Sequence, residues 1–240
     1  MELSHDSLKT TARLTGFLFI WLIITGLSGA MIIANVTGSG SLAEKSARVI
    51  NSKFVYGLGL FLDLIETMSA MLLAFTLYPI LKPFNQLLAQ LGMYFRIGES
   101  IIGAVGVIFG FVKLHIFTTE IINVANENTV HSLLSTFRNA GFAFYNVSAI
   151  FFGVGSLLFF YIFYKSKSIP RTLSVIGIVA SPIAIFLCVA SLVCPKEAQW
   201  LQLGWAPMAI AEIGTGIWLM IRGVNYNRNS STTRIDAVRE

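Results

Sequence analysis

Residues 53–81 read KFVYGLGLFLDLIETMSAMLLAFTLYPIL, an almost unbroken apolar run that carries two acids, Asp63 and Glu66. A helix of about 20 residues crosses the ~30 Å hydrocarbon core of a bilayer, so this stretch is long enough to span one. A charge at that depth costs several kcal/mol, roughly 3 to above 10 depending on the scale. Such a side chain is retained where it meets a partner, a cavity or a ligand. Strands of a membrane barrel would be short and alternating, unlike this continuous run. The stretch therefore reads as a membrane helix with a polar centre.

The same reading extends outward along the chain. Six apolar runs are expected to span: Thr15–Asn35, Lys53–Leu81, Leu87–Ile116, Gly141–Tyr164, Thr172–Cys194 and Leu203–Gly223. Composition agrees. Charged residues make up 12% of the 240 residues and mean hydropathy is +0.73, against about 25% charged in soluble domains. The fold class is all-α, a polytopic six-helix transmembrane bundle over residues 15–223, with a short segment at 1–14 and a polar tail at 224–240. Lys82-Pro83 marks a tight turn between the second and third spans, because proline cannot continue a helix and restricts the residue before it. Lys9 and Arg13 before the first run resemble the start of a signal peptide, but the apolar run reaches Ala34 and five more follow. It is read as a retained span.

Basic residues set the expected orientation. Lys9, Arg13, Lys82, Lys165, Lys167, Arg171, Arg222, Arg228, Arg234 and Arg239 on one side outnumber Lys45, Arg48, Lys53, Lys113, Arg138 and Lys196 on the other. The positive-inside rule places both termini in the cytoplasm of a multi-pass protein of the cell membrane. The net charge of +5 is then a matter of topology. No basic run interleaved with aromatics points to nucleic acid. The bilayer is the expected partner, and oligomeric state is not specified.

In the first outer loop, Ala43, Ala47 and Ile50 recur at helical spacing, which predicts a short interfacial helix. In the second, Val130, Leu133, Leu134 and Phe137 do the same, which predicts a helix lying on the outer surface. Trp200 and Trp205 are placed in an aromatic belt at the outer end of the last span. Pro182 should kink the fifth span. Gly106 and Gly110 form a GxxxG pair expected to serve packing.

Motifs for chemistry are missing. There is no CxxC, HExxH, P-loop or GxSxG, and His5, His115 and His131 fall away from mid-membrane. Cys188 and Cys194 lie about 9 Å apart along a helix axis, beyond disulfide reach, and read as two buried thiols. No cofactor or metal is specified.

What remains is the polar centre. Asp63 and Glu66 share one helix face, as do Arg96 and Glu99 on the next span; Glu212 lies in the last span. Counting residues from the span ends places all five at similar depth. The expectation is one pocket between the second, third and sixth spans, with Arg96 contacting Glu99 or, across helices, Asp63 or Glu66. Four carboxylates against one guanidinium would carry −3 if fully ionised, which a membrane interior does not hold uncompensated. Some acids are protonated, or a cation is bound, or water reaches them. Tyr56, Thr67, Ser69, Tyr94, Ser100, Tyr145, Asn146, Ser148, Ser181 and Thr215 are further candidates to line a cavity. Three readings follow. The first is a binding or transport protein for a cation, a proton or a small cationic solute, with these five residues as its ligand site. The second is an intramembrane enzyme using paired carboxylates as acid, base or metal ligands. The third is a structural or regulatory membrane subunit whose ion pairs fix helix packing.

The chain also resembles a known family. Thr11-Ala12-Arg13-Leu14-Thr15-Gly16, Leu81-Lys82-Pro83-Phe84-Asn85, Arg96-Ile97-Gly98-Glu99, Phe151-Phe152-Gly153, Ile169-Pro170-Arg171, and Glu212 with Trp218, Arg222 and Gly223 follow in order over nearly the whole length. Together they are similar to the bacterial domain-of-unknown-function 4386 family of multi-pass membrane proteins. The resemblance implies a helical membrane fold and no assigned activity. Where the family pattern often has a histidine soon after Phe-Phe-Gly, this chain has Val154-Gly155-Ser156.

Overall fold

A computed structural model describes residues 5–119, 127–194 and 203–224. Among these, seven helices form and no strand does: α1 (His5–Thr37), α2 (Leu42–Asn51), α3 (Lys53–Leu81), α4 (Gln86–Thr118), α5 (Glu127–Ser166), α6 (Arg171–Val193) and α7 (Ala206–Arg222). All but α2 are long and apolar enough to cross a membrane. The protein is an integral membrane protein. The large apolar side chains of Met68, Phe186 and Ile221 stay uncovered by the chain. In water they would be a liability; facing lipid they are not.

Local sequence explains the connections. Ser41 and Glu44 form a capping box that starts α2. α3 stops at Leu81 before Pro83, and the Asn85 side chain caps α4 by accepting from the Leu88 amide at 3.0 Å. α6 runs unbroken through Pro182. Gly223 ends α7 with a φ of 68°, a conformation that suits glycine.

The spanning helices form a closed ring. Each packs on its neighbour in sequence, and α7 returns to pack on α1. Small residues set these contacts. A Cβ added at Gly16 on α1 would lie 2.5 Å from the Gly216 carbonyl oxygen on α7, so the two backbones nearly touch. Gly223 meets the Lys9 side chain, which puts both ends of the bundle's chain on one side. One apolar core, around Leu73, Leu77, Phe160 and Phe163, fills that terminal end. A second, around Val49, Tyr56, Ile116 and Val130, closes the opposite end.

Several expectations need correction. The predicted surface helix near residue 130 is the first part of α5, which is 40 residues long, about twice what a bilayer core needs. Val130 and Leu134 are buried in one cluster with Val49 of α2, Tyr56 and Leu60 of α3 and Ile116 and Phe117 of α4, so these side chains cover protein and not membrane surface. α2 forms as expected, but its buried face is Ser46 and Val49; Ala43, Ala47 and Ile50 point outward. Cys188 is buried, whereas Cys194 caps the end of α6 and is exposed. Trp200 and the tail from Asn225 lie outside the described residues.

Candidate functional site

A cavity of ≈ 810 Å³ lies inside the ring, between the two apolar cores. Asp63 and Glu66 of α3, Glu99 of α4 and Glu212 of α7 all line it. The walls are wider than expected: α1 and α5 contribute as well, through Gly26, Ala30, Tyr145 and Phe152 among others. Of the further candidates, Tyr56, Thr67, Ser100, Tyr145 and Ser148 reach the lining; Ser69, Tyr94, Asn146, Ser181 and Thr215 do not.

Glycines on α1 hold the acids of α3. A Cβ added at Gly29 would overlap the Asp63 carboxylate, and one at Gly26 would lie 3.0 Å from Glu66 Cγ. Gly26 and Gly29 are three apart, as are Glu66 and Asp63, so two helix faces match in antiparallel register. The same logic aligns α3 with α4: Gly103 packs on Thr67 and Gly110 on Leu60. Gly106 and Gly110 thus serve packing, as predicted.

Arg96 contacts Glu99 as expected but stands outside the cavity lining. Its side chain is 1% exposed and is not part of the cavity lining. Its stem passes beside Gly155 of α5, where a Cβ would lie 2.8 Å from Arg96 Cγ. The guanidinium carbon sits 4.6 Å from the centre of the Phe152 ring, a cation–π geometry. Nε lies 3.1 Å from Glu99 Oε2, one turn along the same helix. No fork to Asp63 or Glu66 forms, because Phe152 and Glu99 enclose the guanidinium behind the wall. Its Nη1 and Nη2 donate no hydrogen bond among the described residues. Its charge nonetheless acts on Glu66, Glu99 and Glu212.

Lys113 was missed as a site residue. It lines the end of the cavity away from the termini, and its charge acts on Asp63. The available signal was its position inside the third apolar run rather than beyond it. Trp205 was also misplaced: it lines the cavity and packs at 6.1 Å on the Phe152 ring instead of sitting in a lipid-facing belt.

The hydroxyls near the acids are already engaged. Ser100 Oγ donates to the Arg96 carbonyl at 3.0 Å, and Ser148 Oγ donates to the Glu99 carbonyl at 2.8 Å. Among the described residues no three His, Cys, Asp or Glu side chains are grouped to hold one metal ion. Glu212 is 5% exposed, and its Oε1 accepts no hydrogen bond among the described residues. The arrangement can neutralise positive charge on a guest.

No curated protein and no solved structure matches the chain. The sequence matches the family described as "Domain of unknown function (DUF4386)" over residues 14–223, and the chain belongs to that family.

Proposed function

We propose that this protein binds a small cationic solute in its central cavity and passes it through the membrane. The observation that carries the reading is the convergence of four carboxylates, from α3, α4 and α7, on one cavity. Arg96 and Lys113 offset only part of that charge, which leaves −2 if all six groups are ionised. A positive guest supplies the balance in a medium that does not tolerate unpaired charge. Tyr56, Tyr145, Phe152 and Trp205 add aromatic surface suited to a cation. In this reading the terminal end of the bundle faces the cytoplasm and the protein resides in the cell membrane, consistent with Lys165, Lys167 and Arg171 at that end.

One observation favours the purely structural reading: Arg96 and Glu99 pair within a single helix, behind the cavity wall. The two readings part in a binding experiment. Purified protein in lipid nanodiscs is titrated with alkali-metal ions and with simple alkylammonium ions. Saturable binding that Glu66→Gln weakens, with folding retained, supports the site. Absence of binding by every cation tried rejects it in favour of the structural reading.

A further inference from the structure

The acids are not at one level, and their stagger has a consequence for the guest. Contacts of Gly26, Gly29, Gly103 and Gly110 fix the registers of α1, α3 and α4, and Gly16 against Gly216 fixes that of α7. On these registers Glu99 faces the level of Met71, and Glu212 that of Leu22. At 1.5 Å per residue the Glu99–Glu212 pair then lies about 6–8 Å from Glu66 toward the terminal end, while Asp63 lies ~4.5 Å from it the other way.

Each level has its own charge balance. At the terminal side, Glu99 and Glu212 face Arg96, whose charge also reaches Glu66; at the other, the charge of Lys113 acts on Asp63. With all groups ionised, each level keeps one negative charge in excess. Glu212 is the sharpest sign of a missing partner at its level: it is 5% exposed, lines the cavity and has an oxygen without a hydrogen bond among the described residues. Between the two levels the wall carries Ala70, Gly103 and Ala149 together with Thr67, Ser100 and Ser148, whose hydroxyls each donate to a backbone carbonyl. Two negative poles separated by a short uncharged stretch, whose hydroxyls are already engaged, complement two positive poles joined by methylenes.

We infer that the guest is a linear aliphatic diamine, bound with one ammonium at Asp63 and Glu66 and the other at Glu99 and Glu212. The inference rests on the cation-binding reading above and narrows it to a class. Alkyl amines, like lysine, are protonated at neutral pH, so both ends carry charge. A staggered chain advances about 1.25 Å per bond, so a diamine of about five carbons spans the two levels.

The test is a chain-length series on the unaltered protein in nanodiscs, by titration calorimetry: straight-chain diamines of increasing length, a monoamine of matched carbon number, and potassium ion. The expected result is tightest binding at about five carbons, with the monoamine roughly 10- to 100-fold weaker for want of one charge-assisted contact. Glu212→Gln should erase the diamine's advantage while the monoamine still binds. If diamine and monoamine bind equally, or potassium alone binds, the two-pole inference is overturned and the cation site stands. If no amine and no potassium binds, both are overturned.

Discussion

Gly29 on α1 is the seat of Asp63 on α3: a β-carbon at position 29 would overlap the Asp63 carboxylate and come within 2.8 Å of the Gly59 carbonyl oxygen. The acid is therefore held in place by what its neighbour lacks. Gly29→Ala should cost about 1–3 kcal/mol through overpacking. Gly141→Ala is the matched control. It lines the cavity, and an added Cβ there meets nothing within 4 Å. That change should be neutral or stabilise α5 by up to about 1 kcal/mol, the helix preference of alanine over glycine. Thermal midpoints of the two variants in one detergent, moving in the same direction and by the same amount, would contradict this packing account.

Arg96 is predicted to matter for stability whether or not a guest binds. Arg96→Met keeps the stem that packs beside Gly155 and removes the charge from beside Glu99. Breaking a buried pair at one partner costs about 3–5 kcal/mol. Adding Glu99→Gln should recover most of that loss, because no charge is then left stranded. A double variant as unstable as the sum of the singles would show that the pair is not energetically coupled.

Close approach of α1 to α7 closes the ring. Gly16→Leu should prevent it, since even a Cβ would sit 2.5 Å from the Gly216 oxygen. The expected outcome is loss of monodisperse protein on size-exclusion chromatography, with Gly57→Ala, whose Cβ would make only an ordinary contact 3.9 Å from Leu114 Cδ2, unaffected. Normal behaviour of Gly16→Leu would mean that the ring does not close at this contact.

The membrane fold was legible in the sequence because the signal is local. Runs such as 53–81 declare themselves by length and apolarity alone, and Lys82-Pro83 marks its turn without help from the rest of the chain. The four acids of the cavity were legible for a related reason: each is costly where it stands. Arg96 was found but misplaced, since its seat depends on Gly155 and Phe152 of α5, distant in sequence. Lys113 was passed over because a lysine near a span end usually reaches the interface. The α5 extension was misread for want of a boundary. Its apolar face continues the span, and only the burial of Val130 and Leu134 in the cluster around Tyr56 and Ile116 distinguishes a packed helix from one lying on a membrane.

Topology follows from the even number of spans and the contact of Lys9 with Gly223. Reporter fusions placed after Gly223 and in the segment joining α4 to α5 should report opposite sides of the membrane, with the first in the cytoplasm. Both on one side would contradict the six-span ring.

Cation binding by the cavity acids is the central claim, and equilibrium binding of a labelled propylammonium ion to the nanodisc-embedded protein tests it most directly. The account predicts saturable binding near one site per chain, weakened roughly 10- to 100-fold in Glu66→Gln while the thermal midpoint shows that the variant is folded. No saturable binding, or binding of equal strength in the variant, would contradict it.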